Sequence, residues 1–202
     1  MQAMAMKKYM RNQFEFYGIK VPELRTLIKQ FHADFGLPPI AQMHAIAKAA
    51  YNYEEREMHQ SAILTLFAFK KNILPETLEV CEWLIVNRSW WDTVDHLHKI
   101  NALVYDLFPE CRKKITSWSK ADNLWLRRSA IIFQISRKHN TEQELLFDIC
   151  RQNSDSKEFF IQKAIGWALR EYAYVNPGGV KDFVLQNDLK PLSKREALKH
   201  FK

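Results

Sequence analysis

Ser61-Ala62-Ile63 recurs as Ser129-Ala130-Ile131, and half that interval further along Ala164-Ile165 repeats Ala130-Ile131. Ala197 follows Ala164 at nearly the same spacing, and the absent member midway between Ala62 and Ala130 falls at position 96. The period of about 34 residues is the length of one helix pair, so the chain reads as a stack of two-helix units that bury their apolar faces against one another. The apolar spacing is helical nearly everywhere, only 5 Gly occur in 202 residues, and no segment reads as a strand. The fold class expected is all-α.

Tetratricopeptide arrays share this repeat length, but their Trp, Leu-Gly and Tyr signature is absent, so HEAT-like pairs forming an α-solenoid are the better reading. Helix starts are marked by the capping-box patterns Thr141-Glu142-Gln143-Glu144 and Ser193-Lys194-Arg195-Glu196, with Asp122, Ser156 and Ser89 as further N-caps. Stops are expected at Gly36-Leu37-Pro38-Pro39, Asn72 to Pro75, Phe108-Pro109 and Asn176-Pro177-Gly178-Gly179. With 47% hydrophobic residues the chain is long enough for one domain over residues 1–202, and it reads as a monomer.

Thirty Lys and Arg against 23 Asp and Glu give a formal charge of +7, which favours an anionic partner such as nucleic acid. Cys81, Cys111 and Cys150 are odd in number, widely spaced and without a Cys-x-x-Cys arrangement. They read as buried thiols of a reduced compartment, with Trp83 and Trp118 assigned to the core. The N-terminus lacks a secretory pattern, and no run approaches the ~18 apolar residues of a membrane span, so no membrane is expected and the localisation expected is cytoplasmic.

The chemistry concentrates at Trp90-Trp91-Asp92-Thr93-Val94-Asp95. Trp91 and Asp95 are four apart and share a helical face, setting a π surface beside a carboxylate in a basic protein. In the register of the repeat Asp95 aligns with Ser61, Ser129 and Lys163, and Trp91 aligns with Glu57, Trp125 and Phe159. Asp95 is then the acidic rung of a ladder otherwise neutral or basic, and Arg128, one residue away from strict register, falls close to it on the next helix. Trp167 follows Lys163 by four. Such a face, carrying Trp91, Trp125, Arg128, Lys163 and Trp167, would be a basic groove with stacking surfaces. Asp92 reads as a first-turn acid on the helix dipole. Arg112-Lys113-Lys114, Arg137-Lys138-His139 and Lys194-Arg195 read as solvated faces that gain phosphate contacts if they flank a groove.

At these residues the sequence resembles the AlkD-type DNA alkylation repair glycosylases. The resemblance is carried by Tyr9-Met10-Arg11-Asn12-Gln13-Phe14, Gly18-Ile19-Lys20-Val21-Pro22-Glu23 and Ser89-Trp90-Trp91-Asp92-Thr93-Val94-Asp95. It continues in Asp122-Asn123-Leu124-Trp125-Leu126-Arg127-Arg128, in residues 158–167 with Leu169-Arg170-Glu171-Tyr172, and in Pro191-Leu192-Ser193-Lys194-Arg195-Glu196-Ala197. It implies a right-handed superhelix of HEAT-like (ARM-like) two-helix repeats that holds double-stranded DNA in a concave basic groove. It implies a glycosylase for cationic N3- and N7-alkylated purines, such as 3-methyladenine and 7-methylguanine, in the bacterial cytosol at the nucleoid. The essential carboxylate falls on Asp95, the aromatic wall on Trp91 and Trp167, the phosphate-side arginine on Arg128, and a tyrosine near the DNA strand on Tyr9. The family's N-terminal portion extends further before this tyrosine than the short segment here, so one rim of the groove is expected to be open.

A base alkylated at N3 or N7 is already cationic and departs neutral, so one of the two carboxylates of a glycoside hydrolase becomes unnecessary. Asp95 would stabilise the oxocarbenium-like sugar and accept a hydrogen bond from the incoming water. No metal or other cofactor is expected: His96 and His98, two apart, do not converge on one helical face, and no His-Glu-x-x-His pattern occurs. The rivals are a non-catalytic HEAT-repeat protein that binds DNA of unusual structure, a protein-interaction scaffold, and an abasic-site lyase acting through Lys163.

Overall fold

The computed structural model describes residues 2–201, and among them regular structure is helical apart from an isolated bridge between Glu15 and Glu55. The fold class is all-α, built from the packed helix pairs that an α-solenoid comprises. Contacts gather into two units divided after Arg88, which itself takes φ 45°. The sequence reads as one domain over 1–202, of which Met1 and Lys202 lie outside the described residues.

The first unit holds α1 (Gln2–Tyr9), α2 (Val21–Phe35), α3 (Met43–Tyr51), α4 (Arg56–Ala68) and α5 (Thr77–Val86). At its centre α4 packs on α2 and α3, and its Ala62, Ile63 and Leu66 are fully buried with Met43 and Ala47 of α3. The first turn of α4 also anchors the loop between α1 and α2. Buried Glu57 accepts hydrogen bonds from the backbone amides of Tyr17, Gly18 and Ile19 at 3.2, 2.8 and 3.0 Å. Gly18 takes φ 99°, a conformation that a side chain would strain. Neighbouring Arg56, wholly buried, donates to the Arg88 carbonyl at 2.7 Å and lies over the Phe14 ring. At the far end of α2, Gly36 (φ 81°) turns the chain and donates back to the His32 carbonyl.

The second unit begins with α6 (Trp91–Val94), a 3₁₀ turn (Asp95–Leu97) and α7 (His98–Leu107). It continues through α8 (Pro109–Ser117), α9 (Leu124–Ile132), α10 (Gln143–Gln152), α11 (Phe159–Tyr172), α12 (Pro177–Gln186) and α13 (Pro191–Ala197). α11 packs extensively on α9 and on α13, and the 3₁₀ turn packs on α9 as well, whereas α10 and α12 pack against α9 and α11 as their hairpin partners. The repeat is therefore a layer running from the Asp95 turn through α9 and α11 to α13. Its register alanines Ala130, Ala164 and Ala197 are fully buried, small enough to bring neighbouring helices close. The approach is tightest at Gly166 of α11, where a methyl group would run into Glu196 Cβ and the Ser193 carbonyl of α13.

Several helix starts differ from the sequence reading. Thr141 does not cap α10; its hydroxyl turns back to the Gln134 carbonyl, and Glu142 occupies the N-cap without a side-chain bond to the helix-end amides. Ser193 lies inside α13, because Pro191 starts the helix, and its hydroxyl donates to the Gln162 carbonyl of α11. Asn123, not Asp122, caps α9, accepting from the amides of Trp125 and Leu126, and Glu158, not Ser156, stands at the N-cap of α11. Asn176-Pro177-Gly178-Gly179, read as a stop, opens α12, with the Asn176 side chain accepting from the Gly179 amide. Trp118 is buried as expected, while Trp83 is only half-buried, packed against His44 and Tyr51.

Candidate active site

Asp95 stands where an α-helical turn tightens into 3₁₀ geometry. Trp90, in extended conformation (φ −157°, ψ 162°), occupies the N-cap of α6, which displaces Ser89 from the place the sequence suggests. One turn on, the Asp95 amide donates to the Trp91 carbonyl, so the two residues are stacked on one face as their spacing predicts. Trp91 is half-buried, and Asp92 is buried.

From α9, Arg128 reaches Asp95 with both edges of its fork: Nε donates to Oδ1 and Nη2 to Oδ2, each at 2.7 Å. Nη1 donates to the Phe160 carbonyl of α11 at 2.6 Å. The guanidinium therefore ties three consecutive elements of the layer together. Its side chain is 6% exposed, against 16% for that of Asp95, so the arginine is the buried partner and the carboxylate the accessible one. Planar, bidentate pairing fixes both the position and the rotation of the carboxylate, which a lysine at 128 could not do.

Behind this pair the rings of Trp90, Trp125 and Phe160 meet at centroid distances of 5.0 to 5.8 Å. Trp125, which the register puts on the same face as Trp91, is thus engaged in packing that supports the Phe160 carbonyl. Trp167 of α11 donates its indole Nε1–H to Glu171 at 3.2 Å and stands edge to face with His98, centroids 6.1 Å apart. His98 in turn bonds through Nδ1 to the Asp95 carbonyl at 2.6 Å. These contacts bring Asp95, Arg128 and Trp167 together, with Trp91 one turn from Asp95.

The other candidates are placed differently. Lys163 pairs with Glu196 of α13 at 3.0 Å, and its side chain stays 37% exposed. Glu196 also takes Arg170 and Lys199. Tyr9 ends α1 in the first unit, 70% exposed. Arg137, read as part of a solvated basic run, is instead held by Asp106 and Glu142, while Lys138 and His139 are exposed. The three cysteines are buried and form no disulfide; burial raises the Cys81 thiol far above its usual value and pushes Cys150 up to about 12, so neither of these two offers a thiolate nucleophile.

Against known proteins, the family model described as "DNA alkylation repair enzyme" matches residues 1–201. The chain belongs to that family. Among solved structures it is similar to a predicted DNA alkylation repair enzyme from Enterococcus faecalis, with 32% sequence identity and a TM-score of 0.91 over 98% of this chain and 94% of that one. No curated protein matches the chain. Membership in a DNA alkylation repair family makes DNA the partner against which the site is to be judged. No helix among the described residues is long and apolar enough to cross a membrane.

Three features lie beyond the sequence reading. That reading weighs His98 only as a metal ligand paired with His96, whereas its ring contact is made to another helix. Phe160 acts through its backbone carbonyl, which no side-chain pattern discloses. Glu171 enters the sequence reading only as a resemblance match, four residues after Trp167 on the same helical face.

Proposed function

We propose that this protein is a DNA glycosylase that hydrolyses the N-glycosidic bond of cationic N3- and N7-alkylated purines in duplex DNA. The observation that carries this reading is Asp95: an accessible carboxylate, locked in rotation by a buried Arg128, with Trp91 one helical turn before it and Trp167 linked to its backbone through His98. A surface carboxylate used only for solubility needs no such clasp.

In this reading the bond from C1′ to the purine nitrogen breaks with its electron pair going to the base, which leaves neutral. The sugar is left with oxocarbenium character. Asp95 faces that charge as a fixed anion and accepts the proton of the water that adds to C1′. Because the carboxylate is already oriented, little reorganisation is needed as charge develops. Trp91 and Trp167 present π faces to the cationic nucleotide, worth about 1 to 2 kcal/mol each once desolvated. Three of the five N–H groups of Arg128 are committed to Asp95 and Phe160, so its main task is to hold the carboxylate; the remaining two are what it can offer a phosphate. Lys163, and separately Tyr9 of the first unit, complete the proposed DNA contacts, while Trp125, read from the sequence as a further one, backs the site through its packing on Phe160.

The test is release of 7-methylguanine and 3-methyladenine from methylated duplex DNA under single-turnover conditions, with the parent chain and Asp95→Asn. Release that falls by about two orders of magnitude or more in Asp95→Asn is expected, the scale of losing a key electrostatic group. DNA binding without any release by the parent would replace the glycosylase with a non-catalytic DNA-binding protein.

A further inference from the structure

We propose that His98 is a positioning residue of this site, joining the Asp95 backbone to Trp167 as a neutral imidazole, and that protonating it disturbs Trp167 and the bound cationic nucleotide. The proposal rests on the reading of Asp95 and Trp167 as neighbours of the lesion.

The geometry fixes the tautomer. Nδ1 faces a carbonyl oxygen, that of Asp95, at 2.6 Å, so Nδ1 must carry the proton and donate. In the neutral ring Nε2 then holds a lone pair, and the imidazole stands edge to face with Trp167 at 68°. Trp167 is held from its other side by the bond of its indole N–H to Glu171. His98 thus links the 3₁₀ turn that carries Asp95 to the helix that carries Trp167. It belongs to neither of the pairs the sequence singles out.

The charge state follows from the surroundings. Burial lowers the affinity of His98 for a second proton, and Lys99 and His96 act in the same direction. The bond to the Asp95 carbonyl and the Asp95 charge oppose them without prevailing. The other charged groups facing this junction are Arg128 of α9, which neutralises Asp95, and Glu171 of α11, beyond Trp167. At neutral pH the ring is therefore uncharged. As pH falls below 6.5 and through the lowered value, a proton on Nε2 places a cation beside Trp167, where it competes for the indole and repels a cationic nucleotide.

The experiment follows the indole N–H resonances of the full ¹⁵N-labelled chain by NMR from pH 5 to 8, with Trp167→Phe assigning the Trp167 signal. The expected result is a Trp167 resonance that moves with a midpoint below 6.5 and stays fixed in His98→Gln, whose side chain keeps a donor and does not titrate. A Trp167 resonance that is flat in the parent, a result that needs no variant, overturns the proposal; so does one that still titrates in His98→Gln. On methylated duplex, release by the parent is expected to fall about tenfold per pH unit below the midpoint, while His98→Gln stays within about threefold over the same range. An acid limb retained in His98→Gln would also overturn it. If the parent releases no base at any pH, the glycosylase reading fails, and the Trp167 titration alone decides the role of His98.

Discussion

Lys163 and Glu196 close an ion pair between α11 and α13 in the places that Asp95 and Arg128 hold two repeats earlier, with the charges exchanged. In both pairs the second residue is buried, 5% exposed for Glu196 and 6% for Arg128, and the first is the accessible one. The repeat thus uses one clasp twice: a buried charge holds a charge of opposite sign at the edge of the layer. Only the signs differ. At 95 the clasp presents an acid, suited to a developing cation; at 163 it presents a base, suited to a phosphate. The divergence that gives the site its acid lies within an architecture that the chain's own repeats otherwise share.

If Arg128 acts on the chemistry through Asp95, their substitutions will not add. Arg128→Ala is expected to lower single-turnover release by about 10- to 100-fold, Asp95→Asn by more, and the double variant by no more than Asp95→Asn alone. Additive losses would mean that Arg128 serves DNA separately. Stability supplies a second readout: Asp95→Ala leaves a buried guanidinium without its carboxylate, at a cost of about 3 kcal/mol, whereas Asp95→Asn retains a hydrogen-bond acceptor and loses less. Urea unfolding of the parent and these variants orders the costs.

Glu196 sets an acid limit on folding. Burial works to raise its pKa, but hydrogen bonds from Lys199 and Lys163 outweigh it and hold the carboxyl down to about 2, against 4.5 for the free group. A depressed carboxyl contributes stability that is complete above its unfolded value and is lost as pH falls through its folded value. The window is therefore from about pH 5 down to about 2. Glu196→Gln should cost on the order of 2 kcal/mol at pH 7 and flatten the fall of stability across that window. Thermal melts of parent and variant at pH 7, 4 and 3 check this; parallel losses in both would assign the acid limit elsewhere.

The repeat is legible in the sequence because it depends on small residues that must be small: Ala130, Ala164 and Ala197 lie where helices approach, and their spacing marks the chain directly. The pairing of Asp95 with Arg128 is legible for the same reason, since the two stand one repeat apart, short of it by a single position. Capping is less so. Thr141 and Ser193 match capping boxes, yet each hydroxyl finds a carbonyl from another part of the fold, Gln134 or Gln162, because tertiary packing offers it a better-placed partner than its own helix end. His98 is illegible for a related reason: one partner is a backbone carbonyl three residues earlier, which any residue type at 95 would supply, and the other is a ring on a distant helix.

Glu57 predicts a local dependence in the first unit. One buried carboxylate satisfies three amides of the Tyr17 to Ile19 loop, and no hydroxyl or amide of similar size can accept all three. Glu57→Gln turns one oxygen into a donor facing the Tyr17 N–H, and a cost of about 2 to 3 kcal/mol is expected for the buried groups left unmatched. Amide exchange should show the Tyr17, Gly18 and Ile19 N–H groups losing protection in this variant. Unchanged protection there would mean the loop is held by other contacts.

Salt dependence separates the two clasps by function. A side chain that neutralises a phosphate releases counterions on binding and steepens the fall of affinity with salt, by about 0.9 in the log–log slope per contact on duplex DNA. Lys163 is partly exposed, and Glu196 retains Arg170 and Lys199 when it is removed, so Lys163→Ala should fold with little loss. If Lys163 meets a phosphate, the variant binds duplex DNA more weakly at low salt and its slope is shallower by about one. Arg128→Gln, which removes the charge, should leave the slope nearly unchanged while lowering release, because three of the five N–H groups of Arg128 are spent on Asp95 and Phe160. A slope that changes for Arg128→Gln and not for Lys163→Ala would reverse these assignments, making Arg128 the phosphate contact and Lys163 a purely structural partner of Glu196.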